Sequence, residues 1–198
     1  MKSVKLMGVL AGLGVVAVAG AAGLMPSAPA STTAAVAAHS IDPVHSSVLF
    51  KIKHKDTANF YGVFKEVSGT FAIDSADAAK STLEVSVVSD SVDTRNGGRD
   101  KHVKSADFLS VKEFPAITFK STSFKKTGDK TFDVTGDLTF RGATKPVTAK
   151  VTQTDDKGAG IEATFSLKRS DFGNSTMVGK GLSDEMDFIV SLEGGDKK

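Results

Sequence analysis

The stretch FDVTGDLTF, residues 132–140, places Phe132, Val134, Gly136, Leu138 and Phe140 on one side of an extended chain. Asp133, Thr135, Asp137 and Thr139 fall on the other side. Successive side chains of a β-strand point to opposite faces, so this alternation predicts a strand with one dry and one wet face. The same rhythm recurs on both sides of it. Val48, Phe50 and Ile52 alternate with Leu49, Lys51 and Lys53, and Val67, Gly69, Phe71 and Ile73 alternate with polar partners. Leu83, Val85 and Val87 make a third run, and Ile117 and Phe119 a fourth. Beyond residue 140 come Val147, Ala149 and Val151, then Ile161, Ala163, Phe165 and Leu167. Met186, Phe188, Val190 and Leu192 complete the series, with Ile189 apolar on the opposite face.

Eight such runs predict eight antiparallel strands, because a sheet wetted on one face only is characteristic of antiparallel pairing. No long helix is available to cover the dry face, so the sheet must close on itself or fold into a sandwich. Eight strands close into a barrel just wide enough to be filled by side chains or to hold one small ligand. Gly69 and Gly136 interrupt strands in matching contexts, Val-Ser-Gly and Val-Thr-Gly, where a tightly curled sheet needs bulges or bends. Turns are expected at Lys126–Asp129, Arg141–Gly142 and Asp155–Gly158, with one helical turn near Asp74–Ala79 and a frayed end from Gly194.

The alternation stops between Ser91 and Phe119, SVDTRNGGRDKHVKSADFLSVKEFPAITF. A helix-like turn through His102, Val103 and Ala106 follows Arg99-Asp100, and Pro115 pre-sets an extended restart. A long irregular excursion inside a compact β-domain reads as a lid or binding loop.

The wording of this excursion resembles the YceI-like family of small secreted lipid-binding barrels: Ser-x-Asp-Thr (91–94), Arg99-Asp100, Ser105-Ala-Asp-Phe108 and Phe114-Pro-Ala-Ile-Thr-Phe119, in that order. The likeness extends to Asp42–Val48 with Phe50 and His54, to Val63–Phe71, to Val134–Val147, and to Arg169–Gly173. Two departures stand out: Lys55-Asp56, where the family more often has a glycine, and Phe108-Leu109, where it has two aromatics. The resemblance implies an all-β, eight-stranded antiparallel, lipocalin-like barrel with a short helical excursion between the third and fourth strands. It also implies that a long isoprenoid chain, such as that of a polyprenyl quinone, binds inside.

Residues 1–38 read as a signal peptide and small-residue leader: Lys2 and Lys5, an uncharged Leu6–Met25, then Ala- and Pro-rich sequence. The domain is expected over residues 39–194, with 195–198 as a tail. Periplasmic or secreted localisation follows from cleavage, an uncleaved anchor being the weaker alternative. The chain has no cysteine, hence no disulfide. Of 25 basic residues two lie in the leader, and the remaining 23 balance 23 acidic ones, which argues against nucleic acid as a partner. Transient membrane contact stays open, and no cofactor is expected.

All thirteen phenylalanines lie beyond the leader and there is no tryptophan, so the interior is unusually oily. Phe50, Phe71, Val85, Phe119, Leu138, Phe140, Phe165 and Phe188 fall on dry faces and, with Phe108 of the excursion, are the candidate ligand-contacting residues. Composition alone does not separate a hollow barrel from a solid one. The pairs Arg99–Asp100 and Arg169–Asp171 border loops and are candidate ion pairs, whose charge-assisted bonds to backbone would pin a lid or close a barrel end, contact with a ligand headgroup being the alternative. No catalytic or metal residues are assigned. The rivals are a metal-assisted hydrolase centred on His102, with Asp100 and Asp107 nearby, and a solid-core, stress-responsive structural protein. Gly158–Ala163 superficially matches a dinucleotide fingerprint but opens a strand rather than a helix.

Overall fold

Three of the eight barrel strands are each broken once, so the ring is assembled from eleven extended segments. The computed structural model describes residues 36–195. β1 (His39–Ile41) and β2 (Ser47–His54) run along the same neighbour, β11 (Leu182–Gly195), separated by the Asp42–Ser46 turn. β3 (Ala58–Phe64) and β4 (Val67–Ala72) divide the next strand, pairing with β2 and β1 respectively. β5 (Thr82–Val88) and β6 (Val92–Asp93) divide the third, against β4 and β3. β7 (Ala116–Lys126), β8 (Thr131–Phe140), β9 (Ala143–Gln153) and β10 (Gly160–Lys168) continue as an antiparallel meander, and β11 closes the ring. The helix of the excursion, α1 (Gly97–Lys104), lies between β6 and β7.

The expected strands are present, and so are the turns. Arg141 and Gly142 both take positive φ, 49° and 74°, as a two-residue hairpin turn of primed type requires. The expected helical turn near residue 79 is a 3-10 turn at Ala78–Lys80. Gly136 faces an irregularity in the β7–β8 register between Ser121 and Ser123, the bend anticipated there. Gly69 keeps its register but adopts φ 137°. Lys55 and Asp56 both sit at left-handed φ near 50°, a conformation glycine adopts without strain.

Two expectations need correction. Gly194 and Gly195 do not fray but pair with Ile41 and Ser40. A side chain at Gly194 would run into His39 at 2.5 Å, so glycine is what lets the last strand close on the first. The second correction is β3, which carries no polar–apolar alternation. Phe60, Gly62 and Phe64 face inward, yet Tyr61 and Val63 on the outer face are apolar too, so the period is masked.

Along its axis the barrel has three levels. Phe71, Phe132, Val134 and Val151 are at most 1% exposed and fill one end solidly. His39 of β1 lies against Phe71, ring centroids 5.6 Å apart. The middle and the opposite end are not filled, as the cavities below show. The β9–β10 ladder also stops at Lys150↔Thr164, and beyond it the strands diverge around a shallow groove lined by Val147, Leu167 and buried Phe172. Among the described residues no helix is long and apolar enough to cross a membrane. The expected leader lies outside the described residues, apart from its last three positions.

Candidate functional site

The excursion that breaks the strand pattern builds the roof of the barrel. Asn96 caps α1 by accepting from the Arg99 amide at 2.9 Å, and Asp100 turns back to accept from both the amide and the hydroxyl of Thr94, at 2.7 and 2.6 Å. Arg99 reaches the same residue, its Nε donating to Thr94 Oγ1 at 2.8 Å and its Nη2 to the Thr94 carbonyl at 2.5 Å. Thr94 is fully buried, so these bonds satisfy every polar group it carries and fasten the helix to β6. The Arg99 guanidinium lies 4.8 Å over the Phe60 ring, which ties α1 to β3 as well.

A second set of bonds holds the chain that follows α1. Asn174 donates to the Phe108 carbonyl at 2.7 Å, and Arg141 donates to the carbonyls of Ala106 and Gly173 at 2.9 and 2.8 Å. Arg169, 2% exposed, donates to the Ser183 carbonyl, the Thr176 carbonyl and Asn174 Oδ1. Burial pushes its guanidinium below the ordinary value, opposed by the nearby Asp184 carboxylate. Both arginines thus make bonds to backbone of the expected kind, Arg99 to Thr94 and Arg169 to Thr176 and Ser183, but not ion pairs with Asp100 and Asp171. Neither arginine engages the aspartate beside it in sequence; both bond backbone carbonyls and neighbouring side chains, Arg99 through Nε and Nη2. Asp171 is exposed on the outer groove.

Beneath this roof lies a cavity of about 330 Å³. Its walls are Phe50, Ile52, Phe60, Phe64, Phe140 and Met186, with Val103, Phe108 and Leu109 from the roof. Polar groups gather around its lining as well: His54, Asn59, Arg99, His102, Arg169 and Asn174. Further down the axis is a slot of about 70 Å³ walled by apolar side chains apart from Thr118. Val85, Phe119, Phe165 and Val190 line it and are only half-buried although they point inward, because they border open space.

Of the nine interior candidates, Phe50 and Phe108 border the upper cavity, and Val85, Phe119, Leu138, Phe165 and Phe188 the lower slot. Phe140 borders both. Phe71 borders neither, being locked into the solid end. The choice between hollow and solid resolves by level: one end is solid and the rest is open. Sequence reasoning missed Phe60 and Phe64, hidden in the uniformly apolar β3. It also missed Asn174, and Arg141, read only as a turn residue.

The His102 alternative fares differently from its sequence reading. His102 Nε2 and Asp107 Oδ2 are 2.9 Å apart, while Asp100 is committed to Thr94. Among the described residues the three groups close enough to share a cation are Asp42, His45 and Glu193, in the turn between β1 and β2 and at the end of β11. The Asp42 side chain meets His45 Nδ1 at 2.8 Å, which raises the imidazole and lowers the carboxyl from their ordinary values. A histidine raised in the folded state keeps its charge to higher pH, and its contribution fades as pH climbs through the folded value. Asp42→Asn should therefore move the His45 titration measured by NMR downward, with little change in melting temperature because the pair is exposed.

A model of the YceI-like domain matches residues 39–194, all of the barrel but its last residue. The chain belongs to the YceI-like family. Protein YceI of Escherichia coli O157:H7 is 44% identical over 161 residues, covering 78% of this chain and 83% of that protein. The YceI-like barrel described above also superposes on the crystal structure of BcnA from Burkholderia cenocepacia with a TM-score of 0.72 and 26% identity. That match covers 78% of this chain and 99% of BcnA. A domain from Saccharophagus degradans, described as polyisoprenoid binding, matches with a TM-score of 0.60 over 81% of this chain and 99% of its own length. Its identity is 15%, so this last likeness is one of fold.

Proposed function

We propose that this YceI-like protein binds an isoprenoid or similar long-chain amphiphile in the cavity under α1, and that it carries the lipid outside the cytoplasm rather than transforming it. The observation that carries this reading is the cavity itself: an aromatic and aliphatic chamber whose polar groups are few and belong largely to its roof and rim. Pockets for small molecules have this character, apolar walls with a small number of polar groups that fix orientation. Each methylene buried in such a chamber contributes ~0.8 kcal/mol without any polar contact. Arg99, His54 and Asn59 at the cavity suit a headgroup bearing hydrogen-bond acceptors, such as a carbonyl or hydroxyl oxygen. The binding described for the Saccharophagus degradans domain of the same fold supports the lipid class. Localisation rests on the leader sequence, with its basic start, uncharged run and small residues.

Binding is favoured over catalysis because the cavity walls are mainly aromatic and aliphatic, and Asp100, one of the two carboxylates expected beside His102, is committed to Thr94. Native mass spectrometry of protein purified from its own host tests the proposal. An apolar species of several hundred daltons should accompany the protein and leave on solvent extraction. A stoichiometric divalent cation, or a hydrolytic activity lost in a well-folded His102→Ala variant, would replace the carrier with an enzyme. Protein that carries nothing and takes up no prenyl ligand would make the barrel a structural one.

A further inference from the structure

The wall of the barrel is unzipped beside the roof. β9 and β10 pair from Gln153↔Ile161 to Lys150↔Thr164, and the ladder stops there. Continued in the same register, Ala149, Thr148, Val147 and Pro146 would face Phe165, Ser166, Leu167 and Lys168. Among the described residues no backbone bond links these two sets. Their outer neighbours stay in place, since β8 pairs with β9 as far as Phe140↔Ala143 and β11 with β10 as far as Lys168↔Glu185. The gap is therefore a slit in a wall held on both sides, not a frayed end. Behind the slit is an apolar plug. Leu167 and Phe172 are buried and Val147 is half-buried, although all three line the groove on the outside. Phe172 meets Phe140 edge-on with centroids 5.7 Å apart, and Phe140 borders both the upper cavity and the lower slot. Ala149 and Phe165, the first unpaired residues on the two lips, line the slot as well.

We infer that this slit is a side portal through which the tail of a long amphiphile enters and leaves the barrel, with Val147, Leu167 and Phe172 as its gate. The inference rests on the lipid-binding reading and adds the route. Lifting the roof would break the bonds that Arg99, Asn174 and Arg141 make to it, and a long tail would then have to thread through end-on. Parting β9 from β10 breaks no ladder bond along the slit, because none is formed there. The gate is made of apolar side chains, which swing between rotamers without leaving a polar group unpaired. Phe172 rides on the 3-10 turn Arg169–Phe172, which ends at Gly173 with φ 72°. The slit starts at the rim, where the Arg141-Gly142 turn leads into β9, so a headgroup can stay under α1 while the tail slides in along its length. A long chain is thereby admitted with the roof closed.

The test exploits a chain without cysteine. Thr148→Cys combined with Ser166→Cys puts a thiol on each exposed lip of the slit, and a short bis-maleimide joins them. The probe is a dansyl-labelled geranylgeranyl alcohol supplied from phosphatidylcholine vesicles to delipidated protein, its uptake and release followed by stopped-flow fluorescence. Joined protein should take up and release the probe about tenfold more slowly than the same variant left unjoined, with Kd within about twofold. Phe172→Leu and Val147→Ala, which trim the gate, should speed both rates by about threefold or more and leave Kd near that of wild type. A gate moves the two rates together, whereas a residue of the pocket wall changes Kd, chiefly through release. Melting curves establish that each variant is folded, and Val147→Ala carries the comparison if Phe172→Leu is not. Joined protein that exchanges the probe as fast as the unjoined variant would overturn the portal while leaving lipid binding intact. Gate variants that change release alone, and with it Kd, would overturn it equally. Wild type that takes up no probe would remove the lipid reading and the portal with it.

Discussion

Arg169→Ala should lower the melting temperature by about 10 °C. The side chain is nearly inaccessible, yet among the described residues it faces no carboxylate at bonding distance; its donors are used on the Ser183 carbonyl, the Thr176 carbonyl and Asn174 Oδ1. Truncation leaves these acceptors without their donor, at roughly 1–3 kcal/mol for each buried group left unpaired. A total of about 3–4 kcal/mol at 2–4 °C per kcal/mol gives the stated shift for a domain of this size. Lysine should not rescue it, because one ammonium lacks the planar fork that spans two carbonyls and an amide. Asp171→Asn should stay within about 0.5 kcal/mol of wild type, since that carboxylate is exposed and not bonded to Arg169. Thermal melts of the three variants check this. An Arg169→Ala protein that melts within 2 °C of wild type, or an Asp171→Asn protein that melts as low as Arg169→Ala, would falsify it. A secondary effect is expected at the roof: Asn174, freed from Arg169, holds the Phe108 carbonyl less firmly, so ligand should dissociate faster.

The second large effect is expected at Gly69. Its φ of 137° is a conformation that residues with a Cβ rarely adopt, and a Cβ there would lie 2.0 Å from the Glu84 carbonyl oxygen on the neighbouring strand. Strained backbone of this kind costs about 1–3 kcal/mol before the clash is counted. The obstacle is a main-chain atom of β5, which cannot step aside as a flexible side chain would. Gly69→Ala should cost about 3 kcal/mol or more, read as a fall of 6–12 °C. Gly97→Ala is the internal comparison. It opens α1 with nothing within 4 Å of the added atom, and should be neutral or slightly stabilising, as Gly-to-Ala in a helix generally is. Equal losses at the two sites would mean that glycine's flexibility rather than the close approach matters.

The strands that period-2 alternation marks are legible in the sequence because each has one wet face. β3 is the instructive failure. Tyr61 and Val63 put apolar groups on its outer side, so the very strand that supplies Phe60 and Phe64 to the cavity shows no rhythm. The interior residues were legible as a set, since alternation says which side chains point inward. It does not say how far opposing rings interdigitate, and so Phe71, locked in the solid end, was indistinguishable from Phe140, which borders two spaces. The arginines illustrate another limit. Asp100 and Asp171 are close to Arg99 and Arg169 along the chain, but the groups these arginines bind are main-chain carbonyls and a buried threonine, and nothing in a sequence distinguishes one carbonyl from another. The roof itself was legible as an interruption, because a break in so regular a pattern has no other explanation in a closed barrel.

The joining of β11 to β1 and β2 has a consequence in time. The last strand of the ring is also the neighbour of the first, with Gly195 facing Ser40 and Ser191 facing Ser47. A chain emerging residue by residue can form the β7–β10 meander early, from hairpins with short loops. It cannot close the ring until its final strand arrives. Folding dominated by such distant pairings is slow, because the ends must meet before their contacts contribute. Until then β2 and β10 wait with one edge unpaired, the situation in which β-proteins are most exposed to aggregation. For this chain, the emergence of β11 is the event that ends that vulnerable interval.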